Sequence, residues 1–168
     1  MTQTLLKPDE QALAEALTFI SGFSSVVLGS VTKSGQPHTS YAPYITDNSH
    51  FYVYVSGLAQ HASTLKNGMV SLLFIENEQQ AKTIFARKRL TINCRVSSIS
   101  RDSQRYDSLL NTMQARHGAT VKLLRALPDF ILFELKPEQA SFVIGFGAAY
   151  DISDALTALT NAADHLSA

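Results

Sequence analysis

The side chains of this chain best suited to metal ligation or proton transfer near neutral pH are five histidines: His38, His50, His61, His117 and His165. Their surroundings differ. His38 and His50 lie in or beside turns, which predicts exposed rings. His117 precedes Gly118 at a helix end, where a cation suits the helix dipole. His61 falls in a short helix and is shared between a surface and a pocket-wall reading. His165 points away from the Leu156 side of the last helix at about 100° per residue, with Ala158, Asn161 and Ala162 as nearest neighbours. Near the chain's end that suits a solvated residue. A second feature is the stretch SFVIGFGAAYDIS, residues 141–153. Glycine weakens a strand unless a bulge or a close approach of backbone or ligand requires it. Gly145 and Gly147 around Phe146, followed by Tyr150, therefore mark either a bulge that re-aims the chain or a ligand contact. Asp129, in LPDF, is by its local sequence a turn or cap residue. Asp151 reads as a helix-start residue. Arg116, Lys122 and Arg125 border the same region in sequence and read singly as solvated charges.

The elements that must hold these residues follow from patterning. Pro8, Asp9 and Glu10 open a first helix with Leu13, Leu17 and Ile20 on its apolar face, and Gly22 stops it. Residues 24–32, 37–45 and 51–56 read as a meander of antiparallel strands joined by short polar turns. Residues 57–68 form a short helix closed by Asn67-Gly68. Residues 69–76 and 87–100 are strands. Residues 102–118 form an amphipathic helix with Tyr106, Leu109, Leu110 and Met113 inward, and 120–127 a shorter one stopped by Pro128. Residues 130–135 and 140–146 are expected to form a hairpin across KPEQ, before a last helix at 154–168. At least six strands with helices at their ends predict a closed antiparallel sheet, mainly β with flanking helices, in one domain spanning 1–168.

The totals exclude several classes. Basic and acidic residues balance at 14 each, which argues against a nucleic-acid partner. The single cysteine, Cys94, rules out an internal disulfide and a multi-cysteine metal site, and its place between Ile92 and Val96 predicts an inert core thiol. No segment has the roughly 18 apolar residues of a membrane span, and the first residues lack a secretory pattern. A soluble, cytoplasmic protein with no membrane partner is expected.

The run from Val26 through GQPHTSYAPY, FYVYVS and HASTLKNGMVSLLF to RLTINCRV resembles the FMN-binding split-barrel superfamily, the fold of pyridoxamine-phosphate oxidases. Within it, SGLAQHASTL and FVIGFGAAYDI resemble the HugZ/HutZ haem-utilisation family, and the likeness covers about residues 10–165. The resemblance implies a split antiparallel β-barrel, an obligate homodimer with ligand sites at the interface, and a haem-degrading enzyme working with O2 and an external electron donor. Haem would be both substrate and iron source. The resemblance makes His165 the iron ligand and gives Asp129 of the other subunit the role of holding the second nitrogen of that imidazole. His61, Gly145, Phe146, Gly147 and Tyr150 become candidates for ring contact, and Arg116, Lys122 and Arg125 for the propionates. Flavin-binding members carry a lysine four residues before the leucine of the short helix; here that position is His61, which disfavours FMN, although Arg87, Lys88 and Arg89 stand nearby in sequence as phosphate ligands. An FMN-dependent oxidoreductase and a haem carrier or storage protein without turnover are the alternatives.

Overall fold

The computed structural model describes residues 10–158 of the chain. The first helix, α1 (Glu10–Ser21), buries Ala12, Ala16 and Ile20. The predicted face of Leu13 and Leu17 lies at the edge of that stripe, because the small alanines let the helix approach the sheet closely. The meander follows as β1 (Ser25–Val31), β2 (Pro37–Asp47) and β3 (His50–Ser56). The second turn is tighter than the sequence suggests. Asn48 and Ser49 alone make it, both with positive φ, so Thr46, Asp47 and His50 belong to strands. Next come α2 (Gln60–Leu65), β4 (Met69–Ile75), β5 (Arg89–Ile99), α3 (Gln104–His117) and α4 (Ala119–Arg125).

The closing hairpin across KPEQ does not form. Residues 130–145 are one strand, β6 (Phe130–Gly145), paired with β5 along most of its length. Pro137 sits at a bulge: Asn93 faces Gln139 while Cys94 faces Pro137, so Glu138 is the extra residue. A bulge leaves a residue outside the ladder, which is where a sheet tolerates proline. The Glu138 carboxylate turns outward and accepts from Arg95 Nε at 2.8 Å. The true hairpin lies later, where β6 turns at Phe146-Gly147 into β7 (Ala148–Asp151).

The described strands form one antiparallel sheet in the order β3-β2-β1-β4-β5-β6-β7, and β3 also pairs with β6. That pairing closes the first six strands into a barrel, with β7 as an added edge. Phe51, Val53 and Val55 of β3 face the barrel core with Tyr44, Leu72, Phe74, Phe133 and Phe142. Tyr52 and Tyr54 face the other way, into a second cluster with Tyr106, Leu109, Leu110 and Met113 of α3. β3 is therefore buried on both sides, which its near-continuous apolar run requires. Each such large side chain contributes about 1.5–3 kcal/mol on burial.

Candidate functional site

Asp129 lies just before β6, where that strand meets the end of β3. Ser56 faces Phe130 in the ladder, and the Ser56 hydroxyl donates to Asp129 Oδ2 at 2.5 Å. The next amide, Gly57, donates to the Asp129 carbonyl at 2.7 Å. A Cβ on Gly57 would stand 2.6 Å from that carbonyl and 3.1 Å from Ile131 Cδ1, so only glycine fits. Among the described residues, Oδ1 of Asp129 accepts no hydrogen bond. Asp129 is half-buried; exposed Leu127 lies two residues before it, and Leu58, 88% exposed, follows Gly57, whose amide bonds the Asp129 carbonyl. The turn thus offers a fixed carboxylate with one open oxygen and apolar side chains in solvent close by.

His61 lies on α2, four residues before the buried Leu65. Burial and the neighbouring His38 imidazole hold its pKa below the usual histidine value, so the neutral ring dominates at pH 7. His38 is not the exposed turn residue its sequence suggests. It sits within β2, half-buried, and its Nε2 is buried without a hydrogen-bond partner. The three cations after the loop already have intramolecular partners. Arg87 donates to the Glu76 carbonyl and to Glu78, Lys88 pairs with Glu15, and Arg89 donates to the Arg87 carbonyl.

One of the two glycines has a structural reason of its own. Gly147 has a φ of +68° at the β6–β7 turn, a conformation L side chains rarely adopt. Gly145 follows a register shift after Val143. Tyr150 is half-buried against the barrel core, while Phe146 stands 74% exposed at the tip of the hairpin. Asp151 Oδ1 accepts from the Ser153 amide and hydroxyl, fixing the 3-10 turn Ser153–Ala155 that leaves the sheet. His165, with the other residues of the expected last helix beyond residue 158, lies outside the described residues. Arg116 donates to the Phe23 carbonyl at 2.8 Å and its guanidinium lies 4.9 Å from the Tyr44 ring centre, so it ties α3 to the barrel. Arg125 is paired with Asp107 and Asn111, and Lys122 is exposed. His117 is in the last turn of α3, as expected, and its Nε2 also bonds the Tyr44 carbonyl at 2.9 Å, a tertiary contact the sequence did not show. Cys94 is fully buried, and burial pushes its thiol far up, as expected for an inert core residue.

One constellation escaped the sequence reading. Glu134 Oε1 accepts from the Tyr52 hydroxyl at 2.7 Å and Arg105 Nη2 at 3.0 Å, and pairs with His50 Nδ1 at 3.0 Å. Arg105 also donates to the Tyr52 oxygen at 2.6 Å. Burial pushes the Glu134 carboxyl up, but hydrogen bonds from His50, Tyr52 and Arg105 outweigh it and hold the group at about 2. The signal was an acid inside the apolar run FILFEL. The cluster fastens the first turn of α3 to β3 and β6. His50, expected at the surface, is thereby half-buried and partnered. Among the described residues, no three of His, Cys, Asp and Glu gather as a metal site.

A six-stranded antiparallel barrel closed by β3–β6 pairing, with α2 packed against β1 and β2 and the α3–α4 helix pair on its flank, defines the split-barrel class. The pyridoxamine 5'-phosphate oxidase family profile matches residues 12–144. A curated relative, "Heme oxygenase HutZ" of Vibrio cholerae, is 42% identical over 127 residues, covering 75% of this chain and 72% of its own. The crystal structure of HutZ from the same organism, described as a heme storage protein, aligns with a TM-score of 0.69 and 37% identity over 77% of this chain and 90% of that one. Campylobacter jejuni ChuZ aligns with a TM-score of 0.77 and 29% identity, over 89% of this chain and 62% of that one. The chain belongs to the HugZ/HutZ family within the pyridoxamine 5'-phosphate oxidase split-barrel superfamily. No helix among the described residues is long and apolar enough to cross a membrane.

Proposed function

We propose that this chain binds haem as its substrate and opens the porphyrin ring with O2 and an external reductant, releasing iron. The observation that carries the reading is the Asp129 carboxylate, locked through Oδ2 and open at Oδ1. A ligating imidazole needs its second nitrogen held by an acceptor, and a carboxylate there raises the basicity of the ring. His165 is assigned as the iron ligand and Asp129 of a second copy as the acceptor. The name of the 42%-identical relative supports the oxygenase reading. Haem supplies the iron and the oxidisable ring. The chain's own residues hold the axial imidazole, fix its orientation and cover the ring. Phe146 and Leu58, both large and solvent-exposed, are suited to that last task. Arg116, Gly147 and Tyr150 have structural duties of their own, while Gly145, where a side chain would meet open space, is left for a close approach of the ring.

The reading requires two copies. Tyr41, 68% exposed, shares the outer face of the barrel with Val27 across the ladder, and Val27 faces Leu73 in turn. Exposed Val31 and Met69 belong to the neighbouring ends of β1 and β4. An apolar outer face of this kind suits self-association. FMN fits the site less well. His61, neutral at pH 7, lacks the fixed charge a phosphate anchor needs.

Storage without turnover is the second reading, favoured by the description of the V. cholerae crystal structure. One experiment separates them. Haemin-loaded protein given ascorbate in air loses its Soret band and yields chelatable iron if the chain is an enzyme. Retention of intact haem under those conditions would establish carriage.

A further inference from the structure

The oxygenase reading leaves open what fixes the Asp129 turn from its other side. Arg101 follows β5 and precedes α3, far from residue 129 in sequence. Its Nη2 lies 3.0 Å from the Leu127 carbonyl, 3.2 Å from that of Pro128 and 2.8 Å from that of Phe130. The fourth carbonyl of this turn, that of Asp129, accepts from the Gly57 amide. The two Nη2 protons are shared among the other three carbonyls, so each of the four carbonyls of residues 127–130 has a donor within reach. A turn whose oxygens converge on one cation has little freedom to rotate the side chain it carries. Pro128 supplies no amide donor and restricts the turn further.

Arg101 is itself held. Its guanidinium lies 5.8 Å from the centre of the Tyr106 ring, and the Tyr106 hydroxyl bonds Tyr54 at 3.2 Å. A planar guanidinium can offer a fixed N–H fork to carbonyls while resting on an aromatic face. The clamp thus runs from α3 through Arg101 to the turn, while Ser56 and Gly57 hold the same turn from β3. Asp129 has neighbours on both sides, and Oδ1 remains open.

We propose that Arg101 is a positioning residue of this site, setting the direction of the Asp129 carboxylate through the carbonyls of residues 127–130. The inference rests on the reading that Asp129 holds the iron-ligating imidazole. Arg101 touches neither haem nor imidazole; it acts only through Asp129.

The test compares the wild type with Arg101→Met, Arg101→Lys, Asp129→Asn and the Arg101→Met/Asp129→Asn double variant. Methionine keeps the aliphatic stem against Tyr106 and removes every donor. In the protein without haem, amide hydrogen exchange at Gly57 is expected to speed up in Arg101→Met and less in Arg101→Lys. After haemin loading and anaerobic reduction, resonance Raman reads the iron–imidazole vibration. Asp129→Asn is expected to lower that frequency, Arg101→Met to lower it by a smaller step, and Arg101→Lys to recover part of it. Ring opening in Arg101→Met is expected to fall about tenfold, the lower end of the range for losing a group that orients a metal ligand. The double variant is expected to match Asp129→Asn alone, since both changes act on one contact.

A wild-type frequency in a folded Arg101→Met protein, or losses that multiply in the double variant, would overturn the inference while leaving Asp129 in place. An unshifted frequency in Asp129→Asn would overturn the reading beneath it as well. If Arg101→Met fails to fold, Arg101→Lys decides alone: it must shift the frequency in the same direction, and a wild-type value refutes the proposal.

Discussion

Glu134→Gln should remove the charge that gathers Tyr52, His50 and Arg105 without changing the size of the side chain. The carboxyl is held at about 2 against an ordinary 4.5. At about 1.4 kcal/mol per unit, and allowing for solvent around the half-exposed Arg105, the cluster contributes about 2–3 kcal/mol at neutral pH. A depressed carboxyl stabilises the fold fully above its unfolded pKa, and that contribution is lost as pH falls through the folded value. The loss should therefore fall between about pH 4.5 and pH 2. Urea unfolding of both proteins at pH 7 and pH 2.5 measures it. The wild type is expected to be more stable by about 2–3 kcal/mol at pH 7 and by under about 1 kcal/mol at pH 2.5. A gap that stays constant across that range, or no gap at pH 7, would refute the assignment of Glu134 as the charged centre of the cluster.

Three further outcomes are expected. Gly57→Ala drives a methyl into the Asp129 carbonyl and should cost about 1–3 kcal/mol in urea unfolding, while a neutral change would contradict the close approach. His61→Lys places a permanent cation on α2 and should tighten FMN binding in a fluorescence-quenching titration; unchanged binding would show that residue 61 does not control flavin affinity. Tyr41→Lys places a charge on the apolar outer face and should shift sedimentation towards the monomer, whereas an unaffected dimer would place the interface elsewhere.

The meander was legible because its strands alternate or run apolar between short polar turns, and the pattern alone gave β1, β2 and β3 to within a few residues. The inward face of α3 was equally plain in Tyr106, Leu109, Leu110 and Met113. β6 was misread because KPEQ carries the same local signal for a turn and for a bulge. Only the partner strand distinguishes them, and β5 is long enough to pair on both sides of Pro137. Glu134 was hidden for a related reason. An acid at an alternating position looks solvent-facing until Tyr52 and Arg105, remote in sequence, are brought over it. His38 was lost in the same way, since proximity to a turn says nothing about which side of a barrel wall a ring enters. Asp129 was visible only through family resemblance; its turn-like surroundings describe the backbone correctly and say nothing about the open oxygen. Of the two glycines of the final hairpin, the turn accounts for Gly147, whose φ is positive, whereas a side chain at Gly145 would meet open space.

Haem degradation by this chain would depend on ligation of the iron by the imidazole of His165. The most direct test is an absorption titration with haemin of the wild type and of His165→Ala, followed by ascorbate and air. A sharp Soret band that decays with release of iron is expected in the wild type, and a weak or strongly displaced band without decay in His165→Ala. Identical spectra and identical decay in the two proteins would contradict that ligation.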